Sequence, residues 1–135
     1  MKDSFDEESI AGLVTYRIQR AKETMFEAKL LLDQDCFNAS INRLYYACYY
    51  AVIALLAKNG ISAQTHGGAK QMLGLHFVVT GKLSPKVSSF YSTVFEKRHS
   101  SDYDDFAFSD RETVEKLYPQ ALEFIATIEE LIHSK

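Results

Sequence analysis

Proline and glycine are scarce in this 135-residue chain, at two and six residues. A fold of many short strands needs frequent turn residues, so the scarcity points to long helices with few breaks. Tryptophan is absent, and the only cysteines are Cys36 and Cys48. They form no CxxC pair and read as reduced thiols rather than a disulfide framework. The richest apolar run, Tyr45–Ala57, is too short for a membrane span. The start, MKDSFDEES, is acidic and polar, unlike a secretory signal. A cytoplasmic protein with no membrane contact is expected. Aspartate and glutamate are missing altogether from residues 36–95, which carry Arg43, Lys58, Lys70, Lys82 and Lys86, a net charge of +5. The flanks, residues 1–35 and 96–135, carry −3 and −5. Either the middle presents a positive surface to an anion, or it is a buried hairpin with few charges.

What the chain does have is helical periodicity. The length suits a single domain over residues 1–135 with one core. Val14, Ile18, Ala21, Met25, Ala28 and Leu32 step by four and three, giving a first helix over Glu7 to Asp33. Asp35 is the expected N-cap of a second helix from about Phe37 to Asn59. There Ile41, Tyr45, Cys48, Val52 and Leu55 form one seam, and Leu44, Ala47, Ala51 and Ala54 a neighbouring one. Two apolar faces mark this helix as the most buried. Gly60 suits a left-handed C-cap. Gly67-Gly68 opens a third helix to about Val79, closed by Gly81. Ser84 caps a fourth helix with Pro85 at its first position. Its seam is Val87, Tyr91 and Val94, and Arg98 is the next member. Ser100–Phe108 reads as a polar-aromatic loop. Ser109-Asp-Arg-Glu112 reads as a capping box for a last helix, in which Pro119 should produce a kink or shorten the first part. Short connections between long helices favour an up-and-down antiparallel bundle of four to five helices, an all-α fold.

Few catalytic templates fit. His66, His76, His99 and His133 lack metal-ligand spacing and an HExxH context, so no catalytic metal or other cofactor is expected. His66 is a helix-start or pocket residue, and the structural role is preferred. His133 suits an exposed helix C-terminus. On helix 2, Tyr45 and Tyr49 suit packing, whereas Tyr46 and Tyr50 suit a site or an interface. The main candidate is Arg98-His-Ser-Ser-Asp102-Tyr103. Arg98 continues an apolar seam, where a permanent charge needs a partner. It can hold a phosphate with Tyr103 beside it, or fasten the loop through Asp102 or Asp105.

The segments INRLYYACYYAVIALLAKNGI, THGGAKQMLGLHFV, GKLSP and EKRHSSDYDDF resemble the small HEPN-domain proteins of bacteria and archaea, from about Arg17 to the end. The resemblance implies a helical bundle that commonly pairs as a homodimer, and the excess apolar faces of helix 2 point the same way, with helix 2 and the end of helix 4 as the expected interface. It also implies an RNA- or nucleotide-directed protein, the toxin-like half of a pair with a minimal nucleotidyltransferase antitoxin. Many members are metal-independent ribonucleases with an Arg-x4-6-His motif. Arg98 matches its Arg, and Tyr103 stands where the motif has His. A phenol with an ordinary pKa of about 10 is a poor base at neutral pH, but it can donate to a phosphate. The implied catalytic set is Arg98, Tyr103 and Asp102. Arg98, Tyr103, Arg43 and Tyr46 are the implied nucleotide- or RNA-binding residues. The alternative is a non-catalytic dimeric interaction module serving a nucleotidyltransferase.

Overall fold

The computed structural model describes residues 6–103 and 109–134, with the backbone alone for 101–103. Five α-helices follow in order: α1 (Glu7–Asp33), α2 (Phe37–Lys58), α3 (His66–Leu73), α4 (Pro85–Tyr103) and α5 (Arg111–His133). A π-helical turn, Gly74–Val78, extends α3. Among the described residues there is no strand. The all-α antiparallel bundle expected from the periodicity is the fold that forms.

Helix α2 is the central element and packs against each of the other four. Both of its apolar seams are buried: Ile41, Leu44, Ala47, Cys48, Ala51, Ala54 and Leu55 have no exposed surface. The alanines let neighbouring helices approach closely. Close approach is reinforced by a buried bond from the Ser40 hydroxyl to the Ala28 carbonyl, 2.8 Å, which ties α2 to α1. On the rim of the same pair, Arg17 donates to the Ile53 carbonyl at 3.1 Å. The α1 seam Val14–Leu32 is buried as its spacing predicts. Val114, Leu117, Ala121, Phe124 and Ile128 bring α5 into the same core.

Several helix ends differ from expectation. Asp35 does not cap α2. It has φ 61° and lies just past the end of α1, where Cys36 N–H donates back to the Leu31 carbonyl at 2.8 Å. The tight α1–α2 corner needs a left-handed residue there, and an Asp tolerates that conformation better than most. The Asp35 carboxylate then pairs with Arg111 of α5. Gly60 behaves as expected, with φ 69° and a bond from Ile61 N–H to the Leu56 carbonyl at 2.9 Å. Helix α3 starts one residue early, at His66, because the Thr65 hydroxyl accepts from Gly68 N–H at 2.8 Å. The N-cap of α5 is Asp110, accepting from Thr113 N–H at 2.9 Å. Ser109 instead donates its N–H to Asn38 Oδ1 at 2.7 Å, so the capping box does not form. Helix α5 runs from Arg111 through Pro119 to His133, so Pro119 does not shorten its first part.

Helix α4 also outlasts its expected end. Ser100–Tyr103, assigned from sequence to a loop, belong to the helix. The rest of that loop, residues 104–108 with Asp105, lies outside the described residues.

Candidate functional site: cations and rings on the edge of α2

Arg98 sits where its seam places it, one step beyond Val94, and only 9% of it is exposed. A guanidinium cannot shed its charge, so burial at this level requires compensation. Part of it comes from aromatic faces. The guanidinium carbon lies 4.9 Å from the Tyr45 ring centre and 5.8 Å from that of Tyr46. Each such contact contributes roughly 0.5–2 kcal/mol, more as water is excluded.

The pattern continues on both sides. Arg43 lies 5.1 Å from the Tyr46 ring, held from behind by Glu27 at 3.4 Å. Phe95 packs edge-on to Tyr45 with centres 5.8 Å apart, and Lys70 lies 5.0 Å from the Phe95 ring. The result is a contiguous series of cations and rings, Lys70, Phe95, Tyr45, Arg98, Tyr46 and Arg43, drawn from α2, α3 and α4. A further pair, Arg20 over Tyr50 at 5.3 Å, lies beyond Tyr46. Of the five cations in the acid-free middle of the chain, Arg43 and Lys70 lie against rings of this series, and Arg43 is also paired with Glu27.

His66 is a member that sequence reasoning left as structural. Its Nδ1 is 2.7 Å from the Tyr45 hydroxyl. Its ring lies 4.3 Å from Tyr49 and 5.6 Å from each of Tyr45 and Tyr46, centre to centre. Burial, and then the positive charge of Arg98, hold its pKa below the ordinary value. The imidazole is therefore neutral at pH 7. Burial pushes the Tyr45 phenol up to about 12, so that hydroxyl keeps its proton throughout the physiological range. Behind it, Tyr91 is raised well above its ordinary range, mainly by burial, and stacks between Tyr45 and Phe124.

The division of the four tyrosines holds in part. Tyr45 is buried, while Tyr46, Tyr49 and Tyr50 are half-buried. Tyr49, assigned to packing, is the closest ring to His66. The side chains of Asp102 and Tyr103 lie outside the described residues. The backbone places Tyr103 five positions beyond Arg98 on a continuous helix, about 7.5 Å of rise. Helical spacing, not a frayed loop folding back, sets their separation. His76, His99 and His133 are exposed, the last in the final turn of α5. Among the described residues, no group of three or more His, Cys, Asp or Glu is gathered for a metal ion. Among the described residues, no helix is long and apolar enough to cross a membrane. A groove of about 560 Å³ between α4 and α5, lined by Lys86, Lys97 and Lys116 among others, contains none of the candidate residues.

Fold and site together define a small helical-bundle protein with a cationic, aromatic edge on its central helix. Comparison with known proteins makes the assignment specific. The HEPN domain model matches residues 14–131, and the chain belongs to the HEPN family. It is 36% identical over 120 residues to a UPF0332 protein of Thermotoga maritima, covering 89% of this chain and 91% of that one. It is 24% identical over 118 residues to "Putative toxin MJ0142" of Methanocaldococcus jannaschii, covering 87% and 80%. A second protein of that organism, "Putative toxin MJ0605", is 28% identical over 86 residues, 64% of each chain.

Proposed function

We propose that this chain is an RNA-directed HEPN protein, the toxin-like component of a two-part system whose other member is a minimal nucleotidyltransferase. The observation that carries the reading is the contiguous series of cations and rings from Lys70 to Arg43. Single-stranded RNA offers both phosphates and unstacked bases. Proteins meet it with positive charge for the backbone and aromatic faces for the bases. The toxin designation of two relatives supports the same direction.

In this reading Arg98 receives a phosphate through its planar fork of N–H donors. Tyr103, on the same helix, adds a neutral donor to that phosphate, and Asp102 orients the guanidinium. Arg43 and Tyr46 extend the contact along the strand. Two copies pair through α2 and the end of α4, so that two such half-sites face one another. No metal takes part. The alternative, an interaction module without catalysis, uses the same edge to hold the nucleotidyltransferase.

The test compares RNA cleavage by the wild type, Arg98→Ala and Tyr103→Phe. Cleavage that disappears in Arg98→Ala, persists in chelator, and weakens in Tyr103→Phe by one charge-assisted hydrogen bond, about 1.5–3 kcal/mol, is the expected result. An inert wild type that still binds a nucleotidyltransferase would select the interaction module.

A further inference from the structure

We propose that His66 is the proton acceptor of the Arg98 site, a role that rests on the RNA reading above and specifies its chemistry. Cleaving RNA without a metal requires a group that takes the 2′-hydroxyl proton near neutral pH. Arg98 cannot do this, and the Tyr45 phenol holds its proton too firmly. His66 shares the two rings on which Arg98 rests. The centre of its imidazole is 5.6 Å from both Tyr45 and Tyr46, and the guanidinium is 4.9 and 5.8 Å from the same two. The guanidinium and the imidazole thus flank the same two rings, close enough that the charge of Arg98 bears on His66. A phosphate held by Arg98 would come within reach of the imidazole.

The imidazole is also oriented. Thr65 caps α3 and fixes its first residue, His66. Tyr49 supports the ring at 4.3 Å, and the Tyr45 hydroxyl is 2.7 Å from Nδ1. In the tautomer whose Nδ1–H donates to the Tyr45 oxygen, the lone pair is on Nε2, and this is the form that proton transfer to Nε2 requires. The hydrogen bond made by one ring nitrogen commonly sets which form the other adopts. Among the described residues, the groups around His66 that bear protons or charge are Tyr45, Tyr46 and Tyr49 on α2, Arg98 on α4 and Lys70 on α3 itself. None is a carboxylate that would favour the imidazolium. The ring thus begins the reaction in the form that accepts a proton.

The step balances without any further reagent. Nε2 of His66 takes the proton from the 2′-hydroxyl as the 2′-oxygen forms its bond to phosphorus. The bond from phosphorus to the 5′-oxygen breaks, and that oxygen takes a proton from water. The hydroxide so formed recovers the proton from His66. The products are a 2′,3′-cyclic phosphate and a free 5′-hydroxyl. Arg98 meanwhile neutralises the charge gathering on the non-bridging oxygens.

The test uses the full chain and a fluorescent single-stranded RNA oligonucleotide of mixed sequence, with circular dichroism confirming the helical fold of each variant. His66→Gln keeps a hydrogen-bonding group near Tyr45 but cannot carry the proton. It should lower the cleavage rate by about 100-fold or more while changing RNA affinity by less than about threefold. Added imidazole should restore part of the rate to His66→Ala. The wild-type rate should fall on the acid side with an apparent pKa below the ordinary histidine value of about 6.5. Wild-type cleavage in His66→Gln, alongside loss in Arg98→Ala, would overturn the His66 role and leave the RNA reading intact. Loss of affinity in step with rate would make His66 a structural residue and equally overturn its role. A wild type that neither binds nor cuts the oligonucleotide would overturn both.

Discussion

Helix α2 carries two surfaces of opposite character. One, built from Leu44, Ala47, Cys48, Ala51, Ala54 and Leu55, is fully buried and almost wholly hydrocarbon. Its small residues let neighbouring helices close against it, and the burial raises even the Cys48 thiol above its usual range. The other, Tyr45, Tyr46, Tyr49 and Tyr50, gathers His66 and the cations of α1, α3 and α4. The first surface is stabilised by burial, which is insensitive to pH and salt. The second depends on hydrogen bonds and charge, which respond to both. A single helix thus separates a hydrocarbon side from a polar, cation-contacted side.

Substitutions on the two surfaces should therefore fail differently. The largest stability effect belongs to the buried side. Leu44→Ala removes a fully buried side chain and should cost about 2–5 kcal/mol, read as a lower urea midpoint. RNA affinity of the remaining folded protein should not change. On the other side, Arg98→Ala should weaken RNA binding by about 10- to 150-fold, the loss of one charge-assisted contact of about 1.5–3 kcal/mol. The salt dependence of binding should become shallower at the same time. Arg98→Lys, which keeps the charge but not the flat fork, should recover only part. Fluorescence anisotropy across a salt series checks both variants.

Tyr45→Phe sharpens the comparison further, because Tyr45 belongs to both surfaces. Its ring is buried in the core, and its hydroxyl faces His66. Removing the hydroxyl should cost about 0.5–1.5 kcal/mol in urea unfolding. It should also free Nδ1, which a histidine-detected NMR titration would register as a change in tautomer. The smallest effect is the pH dependence. The His66 pKa is lowered on folding, so between that value and about 6.5 the unfolded chain binds more protons. Stability should rise with pH through that window and fall as the pH drops through it. The urea midpoint measured across the window should show this slope in the wild type and lose it in His66→Gln.

Much of this contrast is visible in the sequence, and the rest depends on tertiary return. The four- and three-residue steps of α1 and α2 place nearly all the core residues of those two helices, and Arg98 stands out because it continues a seam. Gly60 also reads directly, since only one backbone conformation ends that helix. Asp35, Ser109 and the end of α4 do not. Asp35 and Ser109 are engaged by residues distant in sequence, Arg111 and Asn38, which no local pattern reveals. His66 was the harder case. Nothing local distinguishes it from a helix-start residue, because its partners are 17–21 positions earlier on α2 and 32 later on α4. The available signal was Tyr45 and Tyr49, four apart on one face and able to support a ring arriving from α3.

The most direct measurement is an NMR titration of the isotope-labelled chain with a short single-stranded RNA. Perturbations concentrated on the rings of Tyr45, Tyr46 and Tyr49, the His66 imidazole and the Arg98 side chain are the predicted outcome. Perturbations confined to the lysine-lined groove between α4 and α5, with the tyrosine edge unchanged, would contradict the account.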